Sequence, residues 1–515
     1  MPQSGSLIRA SDVVWHPEFT RRCRDLNLRE LEKSHLEWLA QSVADTVEDV
    51  ERARAAQLDV NIAPLFIRDD DDEISAEADK VEAFCPKTTL RHLLTETVEG
   101  GTSPSPKALL DERSINGGVI SERRNKGPLT ARQLYQALSE PRYRSNQAQY
   151  LDVRHRHIYL TDLDPECVCA IFGTAPHYQK RAVGSLVYRH LQSAPHTTVS
   201  ISPQGHNFAF AFHLRYKLMR RSDTPNLDTR RFANNTALRE YRNVSFLDKR
   251  GNQPGIHCYE AQISYLVTGN DDSLWDSLCI SDNYFNSKQA GTSLTDVYEE
   301  ISQDADGLVA LDPSTRGEAG PDFPATDPRE KFPRTLAYHL KRVTAEYMRI
   351  VDWLNDPVRD YAQCKHNRQH LSKRPHTKMK DEGFDTLKWS AEVKDLADMF
   401  SMEVADIKDE VGSFLEKNHI LFPSELCGPA ISDIIDNMEE LEKVQRRLRS
   451  VSSRCKSLIE TEQNLLQQFP AEIGRKTEFI SKSIYPVMIA TGIFSMQDHV
   501  LPFKANTTAF PPKLV

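Results

Sequence analysis

The chain is poor in residues that could brace a fold covalently or through a metal. Nine cysteines are spread over 515 residues, and none falls in a Cys-x-x-Cys pair. Neither a disulfide framework nor a zinc ribbon is expected. Cys167 and Cys169 read as two half-buried thiols in a core strand or helix, and the set as reduced thiols of an intracellular protein. A basic excess is also lacking: 65 Lys and Arg stand against 74 Asp and Glu, for a formal charge of -9. That excludes a general nucleic-acid binder. The opening MPQSGSLIRA has no apolar core, so no secretory signal is expected. No stretch reaches the roughly 18 to 20 consecutive apolar residues of a full membrane span. P-loop, GxSxG, HExxH and dinucleotide-glycine patterns are all missing, and an enzyme is not expected. His257 adjoins Cys258 only in sequence and reads as a core or turn residue. His366 and His370 lie four apart, but they have no partner Glu and sit among Lys365, Arg368, Lys373 and Arg374. That segment reads as a solvated connector, not as a metal site.

What is present is a soluble, globular composition, 39% hydrophobic and 27% charged, long enough for about three domains. A helical pattern runs near Leu28–Val50, and Asp69–Glu73 reads as a solvated acidic loop. Residues 98–128, rich in Gly, Ser, Pro, Lys and Arg, read as a linker closing a loop-rich region 1–128. A short helix is expected over Leu129–Leu138. Residues 157–161, 197–202, 208–213 and 255–267 have strand character, and Gln179–Leu191 reads as a helix, so residues 129–328 are expected to form an α/β domain. The acids Asp162, Asp164, Asp271 and Asp272 fall in predicted turns, and turn chemistry alone accounts for them.

Residues 329–475 change character. Leu336, Leu340, Val343, Tyr347, Ile350 and Leu354 repeat at heptad spacing. So do Trp389, Val393, Leu396, Phe400, Val404, Ile407, Val411 and Phe414. A third series, Leu441, Val444, Leu448, Val451, Cys455 and Leu458, slips at Glu462 and resumes at Leu465 and Phe469. Three long amphipathic helices are expected, giving an α+β chain. The first is expected to stop near Pro357, and Cys427-Gly428-Pro429 to separate the second from the third. Beyond residue 476 the stretch Ser483–Gln497 carries no charge. As a helix it would span about 22 Å against the roughly 30 Å of a hydrocarbon core. On these residues alone, a buried helix or a peripheral anchor is the simpler reading.

Three heptad helices leading into Gly492-Ile493-Phe494-Ser495-Met496-Gln497 resemble the CorA magnesium-transporter architecture. More closely, the chain is similar to the fungal CorA-like domain proteins. The blocks that carry this likeness are Arg156–Pro165 (RHIYLTDLDP), Phe208–Leu214 (FAFAFHL), His257–Asp272 (HCYEAQISYLVTGNDD), Asp327–Lys331 (DPREK) and Ile493–Phe503 (IFSMQDHVLPF). They cover roughly residues 129–510 in the family's order. The resemblance implies a divalent-cation (Mg2+) transporter family protein: a membrane-associated homo-oligomer, pentameric in the family, with its bulk in the cytosol. Mg2+ enters as a transported or regulatory ion, no cofactor is implied, and the expected partners are further copies of the chain and membrane lipid. The membrane segment would contain Ile484, Pro486, Ile489, Gly492 and Phe494. The family's Gly-Met-Asn pore signature falls on Ser495, Met496 and Gln497, where only the methionine is kept. Gln497 retains an amide oxygen, which suits recognition of a hydrated magnesium ion. Ser495 replaces a glycine and its backbone freedom. The family's second span has no counterpart in residues 476–515, so the chain reads as a shortened member. The alternative is a non-transporting soluble or peripheral interaction protein on the same scaffold.

Overall fold

The computed structural model describes residues 33–42, 47–67, 75–86, 88–95, 105–116, 119–123, 128–142, 153–201, 207–248, 254–270, 274–286, 313–315, 325, 327–369 and 376–467. The chain divides into two compact units, residues 1–357 with 397–450, and residues 358–396 with 451–515.

The first unit is built on a mixed eight-stranded sheet. Its strands are β1 (Ala108–Asn116), β2 (Val119–Arg123), β3 (His155–Thr161), β4 (His196–Ile201), β5 (Phe208–Ser222), β6 (Tyr241–Asn243), β7 (Gly255–Gly269) and β8 (Trp275–Ser281). Their order is β2-β1-β3-β8-β7-β5-β4, with β6 beside the start of β7. The pairing of β3 with β8 is parallel, and every other pairing is antiparallel. Strands β3 and β8 are buried along their whole length, as a sheet covered on both faces requires.

One face carries Leu110, Ile158, Leu160, Ala211, Leu266, Leu278 and Ile280. These join apolar residues of α1 (His35–Ser42), α3 (Ile62–Ile67), α4 (Ser75–Phe84), α5 (Leu90–Thr95), α6 (Ala131–Leu138), α7 (Pro165–Thr174) and α8 (Lys180–Gln192) in one core, while α2 (Val47–Gln57) contributes no residue to it. On β5 the alternate residues Phe210 and Phe212 meet Phe332, and Phe210 also meets Phe422. Phe332 lies in the long helix α9 (Pro328–Gln369), and Phe422 lies between the long helices α10 (His376–Asn418) and α11 (Ser424–Gln467).

The quoted sequence blocks turn out to be instructions for building elements. In Arg156–Pro165, β3 ends at Asp162, whose φ of 52 turns the chain sharply. Asp164 then caps α7 by accepting from Cys167 N at 2.8 Å, and Pro165 follows at the first helical position. Asp327–Lys331 repeats that logic at the start of α9. Asp327 accepts from Arg329 N at 2.8 Å, and Pro328 opens the helix.

The structure departs from the sequence reading at three places. Residues 108–123 are not linker: β1 and β2 form a hairpin that extends the sheet past β3. The antiparallel register from Glu112 with Arg123 to Asn116 with Val119 outweighs the polar composition. Helix α9 does not stop at Pro357 but runs to Gln369, with Pro333 and Pro357 inside it. An interior proline costs about 3 kcal/mol. Here the buried series continues past Pro357 from Leu354 to Val358, so packing outweighs the lost hydrogen bond. Cys427-Gly428-Pro429 does not separate two helices but lies within α11. The helix starts where Pro423 O accepts from Leu426 N and Cys427 N, and Cys427 is fully buried with its Sγ 3.5 Å from Arg329 O.

All six residues of the first heptad series are buried, and so are all eight of the second. In the third, Leu441 to Cys455 are buried, Leu458 is half-buried, and Glu462, where the period slips, is buried too. In the second unit Tyr361 Oη lies 2.8 Å from Thr386 Oγ1, and its ring packs against Trp389. No helix among the described residues is long and apolar enough to cross a membrane.

Candidate functional site

The pore-signature residues Ser495, Met496 and Gln497 lie outside the described residues, as do Ile484, Pro486, Ile489, Gly492 and Phe494. So do the acidic loop Asp69–Glu73 and the turn acids Asp271 and Asp272. Among the described residues, no group of three or more His, Cys, Asp or Glu side chains is arranged to hold a metal ion. Asp164 is committed to its helix cap and to an ion pair with Lys107 at 2.6 Å. Asp162 accepts from the backbone N–H groups of Asn283 and Tyr284 at 2.7 and 2.9 Å. Burial pushes its carboxyl up to about 6, against the pull of Arg230 and the Asn283 N–H. Both acids therefore act as structural turn residues.

The structure concentrates charge where periodicity gives no signal. Because β7 and β8 are buried on both faces, their polar side chains must find partners inside the protein. At the end of β8, Asp282 accepts from Arg230 Nη1 at 2.7 Å, from Arg239 Nε at 2.6 Å and from Gln262 N at 2.9 Å. Arg230 also holds Asp228 through two bonds of 2.8 and 2.9 Å. Burial alone would raise Asp282, but the two guanidinium groups hold it well below the usual carboxylate range.

His190 from α8 joins this group. Its Nε2 lies 3.5 Å from Asp282 Oδ1, and its Nδ1 lies 2.9 Å from Ser264 Oγ. His213 Nδ1 meets the same hydroxyl at 2.8 Å. The line Ser264–His190–Asp282 thus has the connectivity of a nucleophilic triad. Its members are buried, at 0%, 0% and 1% exposure, so no substrate carbonyl reaches the hydroxyl. Burial pushes His190 down to about 4, offset in part by Asp282, so the ring is neutral near pH 7. The arrangement ties α8 to β5, β7 and β8.

A second charged group links the sheet to α9 and α10. Lys217 lies 3.2 Å from Glu260 and 3.9 Å from Glu403, and Arg215 lies 3.4 and 3.5 Å from the same two carboxylates. Tyr347 Oη donates to Glu403 at 3.2 Å. Glu403 is raised, chiefly by burial, whereas Glu260 is lowered because Lys217 and Arg215 outweigh its burial.

A cleft of about 640 Å3 lies between α1, α2, α6 and the end of α7, lined by Lys33, Arg54, Arg142 and Arg156 among others. Of these four only Arg156, the first residue of the block Arg156–Pro165, was singled out in the sequence. The sequence signal that could have singled out Arg142 and Arg156 is a pair of charges flanking or entering an otherwise apolar strand region.

No family model matches the chain, and no curated protein matches it. Solved structures do. It is similar to the complete CorA magnesium transporter of Methanocaldococcus jannaschii at 12% identity and a TM-score of 0.34, over 79% of this chain and 92% of that one. It is similar to the full-length CmaX protein at 12% identity and a TM-score of 0.36, over 76% and 85%. It is also similar to the ZntB cytoplasmic domain of Vibrio parahaemolyticus at 8% identity and a TM-score of 0.34, over 70% and 100%. These overlaps are loose, and no residue role passes from them to this chain.

Proposed function

We propose that the chain is a CorA-like divalent-cation (Mg2+) transporter family protein, associated with the membrane through Ile484–Met496 and assembled from several copies. The observation that supports this reading best is the ordered set of sequence blocks. Four of them fall on β3 with the start of α7, on β5, on β7 and on the start of α9. The fifth, Ile493–Phe503, holds the retained methionine. The four described blocks encode strands, caps and turns, so they speak for the scaffold. Only the fifth speaks for ion passage. On this reading Met496 and Gln497 stand at the mouth of an ion path. The residue-level resemblance and the charge-free Ser483–Gln497 stretch support the membrane assignment.

Two measurements separate the parts of this proposal. Alkaline carbonate washing of membranes from cells making the full-length chain tests insertion, and retention in the pellet is expected. Uptake of Mg2+ in a transport-deficient host tests flux, and Met496→Asp is expected to abolish it while the sheet-and-helix part stays folded by circular dichroism. Release by carbonate would replace the membrane reading with a non-transporting protein on the same scaffold. Uptake unchanged by Met496→Asp would remove the pore assignment.

A further inference from the structure

We propose that the outer face of α11 docks a second copy of this chain in antiparallel orientation, the acidic half of one helix against the basic half of the other. The stretch concerned, residues 433–450, lies within the first unit. The inference goes beyond the transporter reading and does not depend on whether Ile484–Met496 inserts.

The sequence of α11 carries its charge in two blocks. Residues 433–442 hold Asp433, Asp436, Glu439, Glu440 and Glu442 and no Lys or Arg. Residues 443–450 hold Lys443, Arg446, Arg447 and Arg449 and no Asp or Glu. A helix that satisfies its charges by its own three- and four-apart pairs interleaves the two signs. Segregated blocks leave each sign to be matched from outside the helix.

The fold decides which of these charges face outward. Ile434, Leu441, Val444 and Leu448 are buried and set the inner side of the helix. Asp436, Glu439, Arg446 and Arg449 fall on the opposite side, and all four are exposed. Their charged neighbours are already engaged: Glu442 with Lys408, Lys443 with Glu440 at 2.6 Å, and Arg447 with Asp352 at 2.6 Å. The side chains of Asp436, Glu439, Arg446 and Arg449 form no ion pair among the described residues. Lys408 on α10 registers the positive end of the stripe. Burial lowers it first, and Arg449 and Arg446 lower it further against Asp409.

The four outward charges are symmetric about the junction of Glu442 with Lys443. Glu439 and Arg446 each lie about 5 Å along the helix from that point, and Asp436 and Arg449 about 10 Å. A second α11 turned end for end therefore brings Arg446 to the level of Glu439 and Arg449 to the level of Asp436. A second α11 running the same way would set acid beside acid and base beside base. The pattern selects the antiparallel orientation and opposes the parallel one, and the contact closes on two copies. Two exposed apolar side chains adjoin the stripe. Ile435 is 46% exposed, and Met402, 69% exposed, follows Ser401, whose O accepts from Gln445 Nε2 at 3.1 Å. They add apolar area to ion pairs that are each weak when exposed.

The test mixes two full-length chains carrying different affinity tags, purified separately, and captures them through one tag at about 50 mM salt, where surface charges are little screened. One variant is made acidic along the whole stripe by Arg446→Glu with Arg449→Glu. The other is made basic by Asp436→Lys with Glu439→Lys. Both are checked for native circular dichroism. Parent is expected to capture parent. Each variant should capture itself about tenfold less well, and the two variants should capture each other at the parental level. Salt raised to about 500 mM should weaken the parental and the mixed capture alike. The proposal is overturned if parent does not capture parent, if both variants still capture themselves as parent does, or if the mixed variants do not recover. Loss in the Arg446→Glu, Arg449→Glu variant alone would assign the cations to an acidic partner such as a lipid headgroup, and overturns it equally.

Discussion

The two kinds of interior in this protein were built by different rules. Along α9 all six residues of the first heptad series, from Leu336 to Leu354, are apolar or aromatic and fully buried. Its stability is that of removing surface from water, about 25 cal/mol per Å2. Across β3, β7 and β8 the interior holds His155, Arg156, Glu260, Gln262, Ser264 and Asp276, all at or below 8% exposure. There most polar groups have specific partners, such as Arg156 with Glu112 and Ser264 with His190, and removing one partner strands the other. The first interior tolerates approximate filling. The second depends on keeping its paired charges together.

The sharpest way to break this contrast is Asp282→Asn. It leaves Arg230 and Arg239 without their shared buried carboxylate, and the expected loss is about 3 to 5 kcal/mol. Chemical denaturation of the purified chain measures it. A loss below 1 kcal/mol would show that the arginines find other partners. On the apolar side, Leu340→Ala deletes one fully buried seam residue. It should cost about 3 kcal/mol through lost transfer and cavity terms. The same denaturation experiment reads it, and a change in cooperativity without a change in midpoint would contradict the seam as described.

The third prediction uses pH. His190 is lowered from its ordinary 6.5 to about 4. The unfolded chain therefore binds this proton more readily than the folded one between those values. Stability contributed by the neutral ring is complete above pH 6.5 and is lost as pH falls toward 4, by up to about 3 kcal/mol for this group alone. His155, pushed by burial to about 3, adds loss of the same sign. His190→Gln should flatten the fall, whereas Leu340→Ala should leave its slope unchanged. Denaturation midpoints taken at several pH values from 4 to 7 distinguish the two.

The contrast also explains what could be read before the structure was known. The long helices were legible because a 3.5-residue period with apolar repeats has few other readings. Their limits were not, because Pro357 and Cys427-Gly428-Pro429 are local stop signals that neighbouring burial overrides. The strand core of β5 was legible over Phe208–His213. Its continuation to Ser222 was not, since Arg215, Lys217, Arg220 and Arg221 read as surface while their pairing with Glu260, Glu346, Glu403 and Asp248 takes place in space. The β1–β2 hairpin was hidden by its charged, glycine-containing composition. For the same reason the Asp282 cluster left no motif: Arg230, Arg239, Gln262 and Asp282 are far apart in the chain, and only the fold brings them together.

The parallel pairing of β3 with β8 sets the order in which the chain can assemble. His157 and Ser277, neighbours across that pairing, are 120 residues apart in sequence. The hairpins β1–β2 and β4–β5 can close early from local segments, whereas the seam joining the two halves of the sheet must wait for β8. During synthesis β3 therefore emerges with one long edge uncovered, carrying Ile158, Tyr159 and Leu160. Until β8 arrives, that edge is the part of the nascent protein most open to pairing with the wrong strand.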